Sequence, residues 1–288
     1  MPELPEVETI RADLARKLVG RRIKSVEILN PKTVAPAPAI FYKSLAGERI
    51  KMVNRRAKLL FLELQPSQKF LLIHLKMTGQ LIYQDKKGTV AGGHSDSAEA
   101  AAIYPNRHTR VLIVFSDNSR LFFNDLRKFG YMKLVTRAEL GKFISRSYGP
   151  EPLTKDFSLD ALAAILKSKK TNLKAALLNQ KNIAGLGNIY VDEALFAARL
   201  DPRRQASSLR AAEIKALYSA INKIIKAAIR WRGTTFNNYR DSEGRRGNFS
   251  RYLQVYGRQN ELCLNCRQPL QKIKLAGRGT YYCPHCQV

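Results

Sequence analysis

Gly149-Pro150-Glu151-Pro152 divides the chain into two kinds of sequence, and reading the two sides decides the fold. Each proline lacks an N–H and restricts the residue before it, so neither a helix nor a central strand runs through this stretch. Upstream, between about residues 23 and 135, the apolar runs are short. They fall at 59–64, 70–75, 110–115, 120–123 and 131–135, and Ser116-Asp117-Asn118-Ser119 between two of them has turn composition. Several strands separated by turns imply a sandwich or barrel. Downstream, helical windows occupy 159–168, 172–179, 188–198 and 210–230, with Thr171 and Ser208 as expected N-caps. A further helix opens the chain over 3–19. Val7, Ile10, Leu14 and Leu18 share one face, Glu3, Glu6 and Glu8 come early, Arg16 and Lys17 come late, and Gly20 stops it. Residues 85–106, rich in Gly, Ser and Ala, are expected to form a mobile surface loop. Residues 233–250 are polar and too long for a tight connector, as functional loops often are. Ile273 to Tyr282 reads as a hairpin with Gly277-Arg278-Gly279 at its tip.

A length of 288 residues suits two or three domains, and a hydrophobic content of 45% is ordinary for a chain that builds cores. The charge is not ordinary. Fifty Lys+Arg against 23 Asp+Glu leave +27, which points to a polyanionic partner, either nucleic acid or an anionic membrane. No apolar run reaches the roughly 18 residues needed to span a bilayer. The opening Met1-Pro2-Glu3 has neither the basic nor the apolar region of a signal peptide. On composition alone a ribosome-associated basic protein fits as well.

All four cysteines lie near the end, as Cys263-x2-Cys266 and Cys283-x2-Cys286. Each pair can aim two thiolates at one tetrahedral ion, which reads as a structural zinc site. Two disulfides are the alternative, disfavoured in an intracellular chain. His285 sits inside the second pair, but four cysteines already complete a tetrahedron.

Pro2 opens a chemical possibility. With Met1 removed it carries a free secondary amine, and an α-amino group titrates near pH 8, so a fair fraction is neutral at physiological pH. Such an amine can attack an aldehyde or acetal carbon and form an iminium whose fixed charge acidifies the neighbouring C–H. Pro2 can equally be no more than the start of a helix.

The opening Met1-Pro-Glu-Leu-Pro-Glu-Val-Glu-Thr9 resembles the signature of formamidopyrimidine-DNA glycosylases. The likeness continues in family order through Arg55-Arg-Ala-Lys58, Ile73-His-Leu-Lys-Met-Thr-Gly79, Asp125-Leu-Arg-Lys-Phe-Gly130, Gly149-Pro-Glu-Pro152, Ala184-Gly-Leu-Gly-Asn-Ile-Tyr-Val-Asp-Glu193, Leu253-Gln-Val-Tyr-Gly257 and the cysteine module. It implies a multidomain α+β protein: a catalytic β-sandwich with an N-terminal helix over 2–135, a linker over 136–152, a helix–two-turns–helix domain over 153–250 with a lesion-capping loop at 233–250, and a zinc-finger β-hairpin over 251–288. It also implies a monomeric bacterial cytoplasmic enzyme, associated with the nucleoid, acting on double-stranded DNA that contains oxidised purines or abasic sites, with one structural Zn2+ and no membrane partner.

The family's roles fall on matching positions. Pro2 is the expected Schiff-base nucleophile, Glu3 the general acid/base, and Glu6 its support. Lys58 is expected to contact a phosphate and donate a proton, and Arg278 to assist a second elimination. A damaged base must leave the stack, and Met77, Arg127 and Phe129 match the residues that fill the gap. His74, His108, Lys169 and Asn188 match other DNA contacts, with Asn188 opening a helix whose N–H groups suit an anion. Two departures fall near the expected lesion: the 85–106 insert is longer than usual in the family, and Trp231-Arg-Gly233 stands where a Gly-Gly pair is common. The endonuclease VIII-like branch of oxidised-pyrimidine enzymes, a catalytically inert zinc-containing DNA binder and an RNA-binding factor are the competing readings.

Overall fold

The computed structural model describes residues 2–86, 88–94, 104–234, 239–240 and 247–288. Two compact units emerge: Met1–Ile144 with Trp231–Ser250, and Ser145–Arg230 with Arg251–Val288.

The first unit opens with helix α1 (Leu4–Leu18), followed by strand β1 (Ile23–Ile28), β2 (Val34–Ala35) and helix α2 (Pro38–Leu45). Strands β3 (Arg49–Arg56), β4 (Leu59–Gln65), β5 (Phe70–His74), β6 (Gly79–Asp85), β7 (Gly88–His94), β8 (Thr109–Phe115), β9 (Arg120–Asp125) and β10 (Tyr131–Val135) come next. They form a six-stranded sheet in the order β1-β8-β9-β6-β7-β11 and a five-stranded sheet in the order β2-β10-β5-β4-β3, where β11 is Tyr239–Arg240. Alternate residues of both sheets meet in one core: Leu60, Leu62, Leu71 and Ile73 from one, Leu81, Tyr83, Val111, Ile113, Leu121 and Phe123 from the other. This is the period-two burial of a sandwich. Val7, Ile10, Leu14 and Leu18 of α1 join that core. Burying each stabilises the unit by roughly 2 kcal/mol, so α1 and the residues at its start are held firmly against the sheets.

One expectation is corrected here. Residues 88–94 are not loop: they pair antiparallel along β6, from Asp85 opposite Gly88 to Gln80 opposite Gly93. Their sequence, Gly88-Thr-Val-Ala-Gly-Gly-His94, carries no apolar alternation, and the strand is identified by its backbone pairing to β6; residues 87 and 95–103 of the expected loop lie outside the described residues. By contact, 231–250 groups with the N-terminal unit, because its root is bonded to α1. Within the expected linker, α3 (Arg137–Ser147) is helical.

The second unit holds α4 (Leu159–Lys167), α5 (Leu173–Leu178), α6 (Asn188–Ala197) and α7 (Ala211–Arg230), then the hairpin β12 (Gln271–Leu275) and β13 (Arg278–Tyr282). The cap of α5 is Asn172, whose side chain accepts the Ala175 N–H at 2.8 Å, and not the neighbouring Thr171. Ser208 ends a 3-10 turn ahead of α7 and does not cap it, whereas Ser158 caps α4. Ile214, Leu217, Ile221, Ile225 and Ala228 give α7 a single buried stripe. Among the described residues no helix is long and apolar enough to cross a membrane.

Candidate active site and nucleic-acid contacts

In the first unit the start of α1 is built from acids. Glu3 occupies the N-cap and Glu6 the third helical position, and the Glu3 N–H donates to Glu6 Oε2 at 3.1 Å. Pro2, Glu3 and Glu6 are all buried. The second Glu6 oxygen accepts from the Thr234 N–H at 2.8 Å and from the Thr234 hydroxyl at 3.1 Å. Gly233 makes that approach possible: it sits at φ +79, and a Cβ there would lie 2.6 Å from Glu6 Oε1.

Lys58 completes the two-residue turn between β3 and β4. Arg55 braces this turn, donating to the Ala57 carbonyl and to Glu8 of α1, each at 2.9 Å. Burial works to raise the Glu8 carboxyl, but its bonds to Arg11 and Arg55 outweigh it and hold the group below its ordinary value. His74, at the end of β5, accepts the Lys76 N–H on Nδ1 at 3.0 Å. Burial first, then the charges of Lys76 and Lys58, push His74 down to about 3, so it is neutral at physiological pH.

Met77, Arg127 and Phe129 come together from two turns. The Arg127 guanidinium donates to Met77 Sδ at 3.1 Å and lies over the Phe129 ring at 4.8 Å. Phe129 is 53% exposed, so its ring stands out from the surface beside the Arg127 guanidinium. Asp125 organises this loop, a role that sequence reading missed. Its carboxylate accepts from the Arg127 N–H at 3.2 Å, the Gly130 N–H at 2.7 Å and the Thr78 hydroxyl. The residues just before Lys58, Met77 and Phe129, namely Ala57, Lys76 and Lys128, all have positive φ. Each costs about 1 kcal/mol or more, and strain of this kind gathers where a side chain must be aimed. The His108 carbonyl accepts the Asp125 N–H at 2.9 Å, which sets His108 beside the same loop.

In the second unit α5, the turns at 179–187 and α6 form the helix–two-turns–helix element. Gln180 knits the turns together, donating to the Leu186 carbonyl at 2.8 Å and accepting the Gly185 N–H at 2.9 Å. Lys169 lies between α4 and α5, its carbonyl accepting the Ser207 N–H at 3.1 Å. Asn188 begins α6, and its side-chain amide donates to the Gly279 carbonyl at 2.8 Å, tying the helix to the hairpin. Lys174 and Asp192 form a fully buried ion pair at 2.7 Å. Lys174 also donates to Gly279 O at 3.2 Å, and Asp192 accepts the Tyr281 N–H at 2.9 Å. Glu193 accepts the N–H groups of Gln254, Val255 and Tyr256 at 2.9, 3.0 and 2.8 Å. The hairpin turn is Ala276-Gly277, both at positive φ as a type I′ turn requires. Arg278 therefore stands one residue past the tip, exposed, on a strand held by α5 and α6.

The four cysteine sulfurs lie within 4.8 Å of one another, with Cys263–Cys286 at 3.9 Å and Cys266–Cys283 at 3.4 Å. Thiolates around one tetrahedral zinc stand about 3.8 Å apart, whereas a disulfide bond needs about 2 Å. The set fits zinc.

The comparisons with known proteins agree with this geometry. Residues 1–132 match the family model for the formamidopyrimidine-DNA glycosylase N-terminal domain, and 148–240 match that for its H2TH domain. A formamidopyrimidine-DNA glycosylase from Herpetosiphon aurantiacus is 42% identical over 289 residues, spanning 100% of both chains. The chain belongs to the formamidopyrimidine-DNA glycosylase family. As a member it is a DNA-repair glycosylase. A Streptococcus mutans formamidopyrimidine-DNA glycosylase is 37% identical, covering 100% of this chain and 99% of its own. Residues 260–288 match a zinc finger found in FPG and IleRS, so Cys263, Cys266, Cys283 and Cys286 are the ligands of one structural zinc. Among solved structures, a complex of Lactococcus lactis Fpg with DNA containing an abasic site superposes with a TM-score of 0.88 at 34% identity, covering 99% of each chain. A complex of the wild-type Lactococcus lactis Fpg with DNA containing N7-benzyl-Fapy-dG gives the same values.

Proposed function

We propose that this glycosylase is bifunctional: it removes oxidised purines, 8-oxoguanine and formamidopyrimidines, from duplex DNA through a Schiff base on Pro2, and then cleaves the strand by β,δ-elimination. The observation that carries this reading is the acid-lined start of α1. There Pro2 and Glu3 are buried together, and Glu6 bonds the Glu3 N–H in the unit that also presents Lys58. The structures of the Lactococcus lactis protein with abasic-site and modified-Fapy-dG DNA support the choice of substrate.

The Pro2 nitrogen, free once Met1 is removed, attacks C1′ of the damaged nucleotide and loses its proton as the bond forms. The C1′–base bond breaks and the base leaves protonated. Glu3 delivers a proton to O4′ as the C1′–O4′ bond opens, leaving a charged iminium. The iminium acidifies the C2′ proton; its loss expels the 3′ phosphate, and a second elimination expels the 5′ phosphate. Glu6 steadies Glu3, Lys58 holds a phosphate and supplies a proton during the first elimination, and Arg278 assists the second. Met77 and Phe129 wedge into the space left by the extruded nucleotide, while Arg127 bonds the orphaned base, preferably cytosine. The segment 233–250 covers the extruded lesion. His74, His108, Lys169 and Asn188 line the backbone, where neutral His74 contributes hydrogen bonds and not charge. The zinc ion holds the hairpin that carries Arg278. The enzyme acts as a monomer on chromosomal DNA in the bacterial cytoplasm.

Borohydride reduction during turnover tests this. An 8-oxoguanine duplex should give a covalent protein–DNA adduct, and Pro2→Gly should reduce it at least about 100-fold. A clear preference for thymine-glycol duplexes would move the chain to the oxidised-pyrimidine branch. An active protein that retains Met1 would end the Pro2 mechanism.

A further inference from the structure

Strands β6 and β9 are antiparallel neighbours whose register sets Gly79 opposite Asp125, so the turns before β6 and after β9 leave the sheet side by side. The first carries Lys76, Met77 and Thr78; the second carries Leu126 to Phe129, all four exposed between buried Asp125 and buried Gly130. Each turn ends on a glycine that close packing requires. A Cβ on Gly79 would lie 2.4 Å from the Leu75 carbonyl oxygen, and one on Gly130 would lie 2.7 Å from the Phe123 ring. The first turn is closed by its own backbone, the Gly79 N–H donating to the Leu75 carbonyl at 2.9 Å. The second is closed by the Asp125 carboxylate, through the N–H groups of Arg127 and Gly130. Each turn thus has a closure of its own.

The Thr78 hydroxyl nevertheless joins them. Its oxygen accepts the Arg127 N–H at 3.0 Å, and its O–H donates to Asp125 Oδ1, which shares the same Arg127 N–H at 3.2 Å. One residue earlier, Met77 Sδ accepts from the Arg127 guanidinium at 3.1 Å. Arg127 is therefore held from a single turn at both its backbone and its tip. A guanidinium that reads a base edge gains from being aimed in advance, because ordering a long side chain on binding opposes the contact it makes. We propose that Thr78 is a positioning residue for Arg127: its hydroxyl sets how strongly the enzyme prefers cytosine opposite the lesion, and it takes no part in the chemistry at the sugar. This rests on the base-reading role given above to Arg127.

The readout is the ratio of single-turnover excision rates for 8-oxoguanine opposite cytosine and opposite adenine, measured beside borohydride trapping on a preformed abasic duplex. Arg127→Ala should lower that ratio at least about fivefold, the smallest loss expected when a bidentate base contact goes. Thr78→Val keeps the shape of threonine and removes the hydroxyl, so it should lower the ratio about fivefold, the worth of one hydrogen bond. Thr78→Ser restores the hydroxyl and should hold the ratio within about twofold of wild type. In Thr78→Val/Arg127→Ala the ratio should fall no further than in Arg127→Ala alone, because Thr78 acts through that side chain. Abasic trapping by both Thr78 variants should stay within about twofold of wild type. A ratio that Thr78→Val leaves unchanged while Arg127→Ala lowers it, or losses that multiply in the double variant, would overturn the proposal. So would trapping that falls in step with excision on both duplexes, which marks a purely structural hydroxyl. Wild-type protein that excises equally opposite both bases, or a ratio indifferent to Arg127→Ala, would instead remove the base-reading role, and this inference with it.

Discussion

His74 sits where a titratable group has been prevented from titrating. Its folded value is about 3 against an ordinary 6.5, with burial as the larger cause and the Lys76 and Lys58 charges behind it. Between those two values the unfolded chain binds a proton that the folded chain refuses, so stability falls as pH drops from about 6.5 towards about 3. His74→Asn, which keeps an acceptor for the Lys76 N–H, should lose less melting temperature than wild type between pH 7 and pH 4. An equal loss in both would show that another group governs acid unfolding. At the same scale Asp125 shows what a sequence conceals. It was read as the edge of a motif, yet its carboxylate closes both ends of the 126–130 loop. An acid ending an otherwise apolar strand (Leu121, Phe122, Phe123, Asn124, Asp125) was the available signal.

Among the elements, the join between α6 and the zinc hairpin is electrostatic at its centre. Lys174 and Asp192 are fully buried, and burial pushes the Asp192 carboxyl up to about 7 against the pull of Lys174. Removing one partner leaves a buried charge unpaired, so Lys174→Met should cost about 3–5 kcal/mol. Denaturant unfolding of that variant checks the figure, and Lys174→Met/Asp192→Asn should regain a large part of the loss; a double variant as unstable as the single would refute the pairing. Much at this scale was legible. Helix faces and strands with strong apolar periodicity were read to within a residue or two, since burial on one side imprints its period on the sequence. What was not legible had no such period. Strand β7 is glycine-bearing and is held by its backbone, Thr171 and Asn172 are adjacent residues both able to cap, and the hairpin tip moved from Arg278 to Ala276-Gly277 because turn geometry depends on φ. The clustering of Met77, Arg127 and Phe129 was visible through family likeness alone, since two separate turns bring them together.

For the whole molecule, a charge of +27 makes DNA affinity a function of salt. Each phosphate-bound cation contributes about one unit to the slope of log affinity against log salt, so Arg278→Ala should flatten that slope by roughly one. Removing zinc with a chelator should flatten it at least as much, because Arg278 rides on the metal-held hairpin; an unchanged slope after verified zinc loss would detach Arg278 from DNA. The assignment of 231–250 to the N-terminal unit has a consequence for synthesis. On the ribosome, the strands and α1 emerge long before the segment that meets Glu6 and Asp13, and the whole block from Ser145 to Arg230 must be translated in between. Until then two interior acids of the nascent domain each lack one partner, Thr234 for Glu6 and Arg232 for Asp13. Domains tend to fold as units during translation, so this one finishes late. A chain halted at Arg230 would carry every strand of β1 to β10 and still be an incomplete N-terminal fold.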